Sequence, residues 1–297
     1  MRSKIVSLCM SYLALFIQEG EVSMETQKTI YHFMDGKPFT GKESELLASS
    51  SAFLYGYSVF TTSYLVNGVW KFGEKHLERL NSNCFDAFGC SFGRDLVLND
   101  LKEIFTNQSL AKSASYSLRV TLFEDPSNKL FHLISLRPFC RDHQNPWAQI
   151  KSFTYDHSSH CKARGIKIGN YSGNLLSHKN LTAPFIYVDD KERLTEGPIC
   201  NYIMFLKEKR KWVTPKNSGK ILRGIGLEYG LESLDVKEME LELKQRGQIS
   251  AAFAINSLRG PMPVEKWDSA TLADTNLFKQ KIESLYNENE EKWSIKI

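Results

Sequence analysis

The sequence predicts a two-domain protein of the α+β / α/β class, in which a smaller N-terminal α+β domain precedes a larger C-terminal mixed β domain. Its 297 residues, 42% of them hydrophobic, are enough for two cores of ordinary size. In the first half, strand-like segments flank two amphipathic helices, and such segregation is typical of an antiparallel sheet. The second half holds more numerous and shorter strand-like segments, separated by turn residues.

This division predicts four segments along the chain. Residues 24–137 form the small domain, and residues 147–297 form the C-terminal domain. Residues 138–146 are polar and lie between two prolines, which is typical of a linker. Residues 1–23 are predicted to be an extension outside the domains. Their apolar run, 5–17, has the length of a signal-peptide core, but it is too short to span a bilayer and no clear cleavage site follows.

The N-terminal strands are predicted from side-chain alternation and turn residues. Asn67 and Gly68 supply the positive φ angles that a two-residue hairpin needs, between the apolar segments 53–66 and 69–72. A polar, serine-rich stretch at 43–51 connects this hairpin to an earlier strand. The predicted N-terminal strands are 28–34, 53–66, 69–72, 116–123 and 129–138, of which the last two form an antiparallel pair.

Helical periodicity begins at Glu74, and Gly89 ends this first helix. A second amphipathic helix is predicted at 95–105. The apolar face of the first helix is formed by Leu77, Leu80, Cys84, Phe85 and Phe88. In the second half, the predicted strands are 147–155, 184–190, 201–207, 211–215, 234–241 and 251–257, and the predicted helices are 174–181, 227–233 and 271–286.

Charge and cysteine content restrict the class of protein. The 38 basic and 34 acidic residues give a net charge of +4, and the basic run at 207–211 lies between two apolar segments, so a solvated hairpin turn is predicted there. We therefore expect neither a nucleic-acid partner nor a membrane partner. The six cysteines are scattered and form no CxxC pair, which favours a reducing, cytoplasmic location.

Lys167 is the first candidate for chemistry. It lies between Ile166 and Ile168 in a segment that reads as a strand end entering a polar, glycine-containing turn. A lysine held in an apolar pocket becomes a neutral amine more readily, and a neutral amine can attack a carbonyl carbon. Most lysines lie on the surface, so spacing alone also allows an ordinary solvent-facing side chain.

Two further segments complete a candidate cofactor site. Glu196 precedes Gly197 and Pro198 between two strands, so a turn can direct its carboxylate inward, although a solvent-facing glutamate fits the same pattern. The glycine-rich segment 223–226 precedes a helix-like run, where exposed backbone N–H groups favour an anion such as a phosphate. A dinucleotide fingerprint fits less well, because the third glycine comes one residue late.

A metal site is the alternative for one short stretch. Ligand-type side chains occur at Asp156, His157, His160 and Cys161. No second cluster follows to complete a tetrahedral site, so the sequence predicts no metal.

Six ordered motifs carry a resemblance to a known family. They are YGYSVFTT (55–62), HLERL (76–80), IKIGNY (166–171), LTEGPICN (194–201), ILRGIG (221–226) and AINSLRGPMPV (254–264). Together they resemble the class-IV aminotransferase superfamily, the fold-type IV pyridoxal-phosphate enzymes with a D-amino acid aminotransferase-like fold. Within it the chain is most like the aminodeoxychorismate lyases. The resemblance runs from about residue 30 to the last helix.

The resemblance implies pyridoxal 5'-phosphate as cofactor and a role for each matching residue. Lys167 would carry the cofactor covalently and shuttle a proton, and Glu196 would face the pyridine nitrogen. Arg79 would bind the phosphate together with the backbone of Ile225 and Gly226, and Asn201 would also lie in the cofactor site. A homodimer is implied as well, because in these enzymes a neighbouring subunit completes the site.

The predicted reaction depends on the pair Thr61 and Thr62. The lyases have Thr-Thr at this point, whereas branched-chain aminotransferases have Glu-Gly, and the match places Thr62 where it can steer the proton of Lys167. The resemblance thus implies a lyase that acts on 4-amino-4-deoxychorismate, releasing pyruvate and 4-aminobenzoate for folate synthesis. The pair also has a purely structural explanation, because threonine is a good strand former.

Two alternatives remain open at this stage: a branched-chain or D-amino acid aminotransferase, and a degenerate cofactor-binding paralogue. Tyr64 and Glu124 stand where the family pattern has arginines. A substrate with two carboxylates needs cationic partners. The candidates to supply them are Arg119, Arg259 and Lys162.

Overall fold

The structure is a computed structural model that describes residues 30–39, 41–107, 110–141, 149–154, 166–170, 185–217 and 221–297. The described strands form three sheets, of seven, five and four strands. Six described α-helices lie between or against them: α1 (Gly41–Ser49), α2 (Ser51–Tyr55), α3 (Gly73–Phe88), α4 (Arg94–Asn107), α5 (Ile225–Glu228) and α6 (Thr275–Lys292).

The seven-stranded sheet is antiparallel throughout and has the order β16-β4-β3-β5-β6-β1-β2. The predicted antiparallel pair is confirmed, because β5 and β6 pair over their full length. The hairpin at Asn67–Gly68 is confirmed too, with positive φ angles of 51° and 72°. The strands are β1 (Tyr31–Met34), β2 (Lys37–Pro38), β3 (Val59–Val66), β4 (Val69–Trp70), β5 (Ser115–Glu124), β6 (Leu130–Pro138) and β16 (Ile295–Lys296).

Helices α3 and α4 cover one face of this sheet and close its core. Leu77, Leu80 and Cys84 are buried there against strand residues such as Leu118. The prediction for Phe85 was wrong, because 61% of its surface is exposed. Helix α3 presents only a narrow stripe to the sheet, and Phe85 lies just outside that stripe.

The segment before β3 also differs from the prediction. Residues 43–51 belong largely to α1 rather than to a connecting loop, and the strand predicted from residue 53 begins only at Val59. The Ser50 side chain accepts a hydrogen bond from the Phe53 N–H and caps α2, and Gly56, at a φ of 64°, ends that helix. These local caps outweigh the strand propensity of the aromatic residues.

The C-terminal half contains two mixed sheets. The five-stranded sheet has the order β11-β10-β9-β12-β13, with only the β10–β11 pair parallel, and the four-stranded sheet has the order β15-β14-β7-β8. The turn at residues 207–210 between β9 and β10 is exposed, as predicted. The strands are β7 (Gln149–Thr154), β8 (Phe185–Val188), β9 (Asn201–Leu206), β10 (Lys211–Pro215), β11 (Val236–Met239), β12 (Ile249–Asn256), β13 (Gly260–Val264), β14 (Lys266–Trp267) and β15 (Ala270–Thr271).

The bounds of the helices in this half also differ from those predicted from the sequence. The helix predicted at 227–233 is the single turn α5, followed by further turns. The helix predicted at 271–286 begins later, because Thr271 pairs with β14, and it runs on to Lys292. It extends past residue 286 because its last turns are buried. The helix predicted at 174–181 lies outside the described residues.

The last strand returns the chain to the N-terminal sheet. β16 pairs with β4, and the Glu74 N–H donates to the carbonyl of Trp293. Helix α6 therefore connects the C-terminal sheets to the start of α3. None of the described helices is long and apolar enough to cross a membrane.

Candidate active site

Lys167 is attached to the first residues of β3. Its carbonyl accepts a hydrogen bond from the Phe60 N–H at 3.0 Å, and the Gly169 N–H donates to the Ser58 carbonyl at 2.6 Å. The adjacent Ile168 forms an isolated antiparallel bridge with Val59. These bonds place the half-buried Lys167 side chain over the ring of Phe60, with Nζ 4.8 Å from the ring centroid.

Strand β3 presents two chemically different faces because successive side chains point in opposite directions. Thr61 and Ser63 point towards α3 and are buried. Phe60, Thr62 and Tyr64 lie on the opposite face, which is the face of Lys167. Thr62 is half-buried there. Its cross-strand partner is Arg119, whose guanidinium carbon lies 3.7 Å from the ring centroid of Phe60.

Thr61 joins β3 to α3 through its hydroxyl. The Thr61 Oγ1 lies 2.5 Å from Nδ1 of His76 and accepts a hydrogen bond of 2.9 Å from Nη2 of Arg79. Burial, with the positive charges of Arg79 and Lys167, holds the pKa of His76 well below its usual value. His76 is therefore neutral at physiological pH. Arg79 is thus oriented by a buried, uncharged network.

Glu196 and Asn201 converge on one backbone segment. The Leu222 N–H donates to Oε2 of Glu196 at 3.2 Å, and Nδ2 of Asn201 donates to the Leu222 carbonyl at 3.0 Å. Burial, with a contribution from the charge of Glu196, raises the pKa of the nearby Cys200 thiol to about 12. Cys200 is therefore a neutral thiol and not a nucleophile at neutral pH.

The glycine-rich turn leaves no room for side chains. A Cβ at Gly224 would lie 2.1 Å from Oδ1 of Asn201, and one at Gly226 would lie 3.0 Å from the backbone nitrogen of Ser257. Gly224 precedes α5, so the backbone of Ile225 and Gly226 forms the first helical positions. Gly224 thus leaves space for the Asn201 side chain, and Gly226 allows the close approach of the backbone at residues 256–257.

A continuous series of contacts links the predicted site residues. The Lys167 carbonyl accepts a hydrogen bond from the Phe60 N–H of β3. Two residues further along β3, the Thr62 carbonyl accepts a hydrogen bond of 3.2 Å from the Ser257 hydroxyl, and the Ser257 backbone lies against Gly226. From Gly224 the series continues through Asn201 and Leu222 to Glu196. Arg79 joins through Thr61. The structure therefore brings Thr62, Arg79, Lys167, Glu196, Asn201, Ile225 and Gly226 into one connected region.

Several residues of this region were missed from sequence. The turn after β12 (residues 257–259, called here the β12–β13 turn) is held by the Asn256 side chain, which accepts hydrogen bonds from the backbone of Leu258 and Arg259. Tyr286 donates from its hydroxyl to the Asn256 carbonyl at 3.1 Å. Tyr286 is distant along the chain, so no local pattern could identify it. The Asn256 cap has a local signal, because an Asn before a three-residue turn is a frequent turn-forming residue.

The donor set fits pyridoxal phosphate. Three separate segments supply an amine at Lys167, a carboxylate at Glu196 and a guanidinium at Arg79. These are the groups that an aldehyde, a pyridine nitrogen and a phosphate require as partners. Among the residues that the structure describes, no group of His, Cys, Asp and Glu could hold a metal ion. The ligand-type residues at 156–161 lie outside that part of the chain.

Comparison with known proteins defines the class. A family model for class IV amino-transferases matches residues 58–267, which is more than half of the chain. The chain therefore belongs to the class IV amino-transferase family, and the predicted resemblance, fold class and cofactor are confirmed. It is an enzyme of the pyridoxal-phosphate-dependent class IV type, an aminotransferase or a lyase. No curated protein matches the sequence at a significant level.

Solved structures agree on the fold at low sequence identity. A hypothetical aminotransferase from Mycobacterium tuberculosis in its PLP-bound form superposes with a TM-score of 0.75 at 15% identity, covering 89% of this chain and 99% of that chain. The branched-chain amino acid aminotransferase from Escherichia coli gives 0.72 at 18%, covering 90% and 97%. A candidate 4-amino-4-deoxychorismate lyase from Legionella pneumophila gives 0.70 at 17%, covering 82% and 94%.

Proposed function

We propose that the protein is a pyridoxal-phosphate-dependent 4-amino-4-deoxychorismate lyase, which eliminates pyruvate and leaves 4-aminobenzoate for folate synthesis. The observation that supports this most is the Thr61–Thr62 pair on β3. The Thr62 side chain is on the same strand face as Phe60, over which the Lys167 amine lies. Thr61 points the other way and binds Arg79. The two threonines of the lyase-type pair therefore lie on opposite faces of β3, Thr62 on the face of Lys167 and Thr61 on the face of Arg79.

Each residue of the candidate site has a separate role in the proposed reaction. Bound pyridoxal phosphate supplies an electron sink for the carbanion that forms at C4 of the substrate. The Lys167 amine, held over Phe60, removes the C4 proton, and the Thr62 hydroxyl orients that amine. Glu196, whose carboxylate accepts a hydrogen bond from the Leu222 N–H, would pair with the ring nitrogen and keep it protonated. Arg79 binds the phosphate and is oriented by Thr61.

Arg119 is our proposed partner for a substrate carboxylate. It lies opposite Thr62 on the neighbouring strand, and its guanidinium stacks on Phe60 at 3.7 Å from the ring centroid. Stacking fixes the plane of the guanidinium without cancelling its charge. This arrangement directs a cation to the substrate side of Lys167 even though Tyr64 occupies an arginine position of the family pattern.

An amino-acid aminotransferase is the second candidate. Tyr64 lies against the buried Arg141 at 4.3 Å and supplies no cation to the substrate. A substrate with a single carboxylate needs fewer cationic partners than one with two. This observation favours a branched-chain or D-amino acid over a dicarboxylate. A degenerate paralogue is the least favoured reading, since Lys167, Glu196 and Arg79 are all present.

We further propose a cytoplasmic homodimer. An exposed apolar cluster on α2 and the end of α3 supports a second copy as partner: Phe53 (56% exposed), Leu54 (54%), Tyr55 (75%) and Phe85 (61%). The Tyr57 hydroxyl donates to the Ala87 carbonyl and brings these two segments together. Light scattering after size exclusion should give twice the chain mass, and Phe53→Ser with Tyr55→Ser should give a monomer. A monomeric wild-type enzyme with full activity would contradict the dimer.

One experiment tests the reaction. The purified protein is given 4-amino-4-deoxychorismate, and both pyruvate and 4-aminobenzoate are assayed. A parallel assay follows 2-oxoglutarate-dependent turnover of amino acids. We expect equimolar pyruvate and 4-aminobenzoate with no requirement for 2-oxoglutarate. A cofactor absorption band without pyruvate, together with 2-oxoglutarate-dependent turnover, would reject the lyase and support the aminotransferase.

A further inference from the structure

A buried ion pair lies beside the candidate site. Arg141 follows β6, and Glu290 lies near the end of α6; their side chains are 8% and 5% exposed. Two hydrogen bonds of 2.9 Å and 2.6 Å join the guanidinium to the carboxylate in a bidentate arrangement. Burial opposes the charge of Arg141, but the hydrogen bonds and charge of Glu290 outweigh it and raise the pKa of the guanidinium.

Arg141 uses its remaining donors on the β12–β13 turn. Its Nε donates to the Leu258 carbonyl at 2.7 Å, and its Nη2 donates to the Ser257 carbonyl at 2.9 Å. Ser257 is the residue whose hydroxyl reaches Thr62 and whose backbone nitrogen lies against Gly226. The guanidinium therefore fixes a turn that contacts both β3 and the start of α5.

Glu290 belongs to a polar stripe on α6, in which three residues at helical spacing contact three different segments. The Tyr286 hydroxyl donates to the Asn256 carbonyl, and Nδ2 of Asn289 donates to the Gly230 carbonyl at 3.2 Å. Tyr286 also packs so closely on Gly226 and Gly230 that a Cβ at either would clash with it. The stripe therefore holds both the β12–β13 turn and the residues around α5.

We propose that the Arg141–Glu290 pair, with Tyr286, positions the β12–β13 turn and α5 for the cofactor phosphate; this rests on the proposed cofactor site. These are positioning residues, since they act through backbone segments. A buried pair of this geometry specifies one arrangement of its partners, because any other leaves a buried charge without its hydrogen bonds. A misplacement of about 1 Å by a remote mutation can cost about 100-fold in rate, and we expect a loss of up to that order in phosphate binding.

The test compares two ligands that differ only in the phosphate. Dissociation constants of pyridoxal 5'-phosphate and of pyridoxal are measured by calorimetry on the full-length protein after the cofactor has been released with hydroxylamine and removed by dialysis. For Glu290→Gln we expect the constant for pyridoxal phosphate to rise about 10-fold or more, and that for pyridoxal to change little. The matched control is Glu288→Gln, because Glu288 lies two residues before Glu290 on the same helix, is exposed, and accepts a hydrogen bond from the exposed Ser284. The control should bind both ligands like the wild type.

A milder variant keeps the test decisive if Glu290→Gln does not fold. Tyr286→Phe removes one hydroxyl and keeps the ring packing, and we expect about a 3-fold loss for pyridoxal phosphate alone. The positioning role would be overturned if both variants lost the same affinity for pyridoxal phosphate as for pyridoxal, or if neither affinity changed. Either result would leave the proposed function intact. A wild-type chain that binds neither ligand would overturn the proposed function and this inference with it.

Discussion

The two faces of β3 differ in the partners that their side chains contact. Towards α3, Thr61 and Ser63 are buried, and their hydroxyls are bonded to the side chains of His76 and Trp70, with Arg79 as a further donor to Thr61. On the opposite face, aromatic rings carry cations: Arg119 and Lys167 lie over Phe60, and Arg141 lies over Tyr64. One strand thus has a hydroxyl side, where buried hydroxyls bond to neighbouring side chains, and a cationic side, where aromatic rings lie against cations.

This difference separates two tasks within eight residues. A buried hydroxyl network fixes the position of a helix and of Arg79, because each of its polar groups is costly to leave unsatisfied. Aromatic rings, in contrast, orient a cation and keep its charge. The hydroxyl side, which holds Arg79 through Thr61, therefore suits the anchoring of a phosphate ligand, and the cationic side suits reaction and substrate binding.

Loss of the amine on the cationic side should abolish the reaction. Lys167→Ala removes both the proposed point of covalent attachment of the cofactor and the proposed base, so we expect activity to fall at least about 10³-fold. Borohydride reduction followed by peptide mass analysis measures the attachment. Lys207→Ala, in the exposed turn between β9 and β10, is the control and should keep a normal adduct. Covalent cofactor retained in Lys167→Ala would contradict the assignment.

Removing the second cation should affect the substrate and not the cofactor. In Arg119→Met we expect the KM for 4-amino-4-deoxychorismate to rise about 10- to 100-fold, since a hydrogen bond to a charged group contributes about 1.5–3 kcal/mol. The dissociation constant of pyridoxal phosphate should stay unchanged. Arg94→Met, at an exposed ion pair with Glu74, serves as the control. An unchanged KM in the Arg119 variant would remove it from the substrate site.

Replacing each of the two threonines by valine should have different effects on stability, cofactor affinity and kcat. Thr61→Val leaves His76 and Arg79 without the shared hydroxyl, so we expect a loss of about 1–3 kcal/mol of stability and a several-fold weaker affinity for pyridoxal phosphate. Thr62→Val should keep both quantities and lower kcat. Denaturant titration, calorimetry and steady-state kinetics measure the three effects. Identical behaviour of the two variants would disprove the division between the faces.

His76 should give the hydroxyl side a specific pH response. Because its pKa is lowered in the folded protein, the stability that neutral His76 contributes is fully present above its unfolded pKa of about 6.5 and is lost as the pH falls below that value. Urea titrations at several pH values should show the free energy of unfolding decreasing as the pH falls below about 6.5. In His76→Gln, the slope of this free energy against pH should be smaller by up to about 1.4 kcal/mol per pH unit. Parallel pH profiles for the wild type and the variant would contradict it.

The sequence predicted those parts of the fold that local patterns determine. Alternation identified β5 and β6, and turn residues identified the Asn67–Gly68 hairpin and the exposed turn at 207–210. The caps of α2 were missed, because a serine and a glycine flanking aromatic residues also fit a strand entry. Phe85 was misplaced since periodicity gives the width of an apolar face only approximately.

For the candidate site, the resemblance supplied the residues and the structure supplied what connects them. Lys167, Glu196 and Arg79 lie in motifs that can be recognised along the chain. Arg141 and Glu290 are 149 positions apart, and an arginine in a polar stretch gives no signal that it is buried. Likewise, the two-residue pairing of β16 with β4 is too short to produce a pattern. Long-range pairs of this kind become visible only in three dimensions.

The alternation of β3 also limits how the chain can be redesigned. A single residue inserted between Phe60 and Thr61 would exchange the faces of the residues that follow, directing the hydroxyl that binds Arg79 towards Lys167 and the other towards His76. Length variants should therefore be made in the turn at residues 207–210, where the side chains are solvated. A mutational library that samples substrate preference can vary β3 in composition but must keep its length.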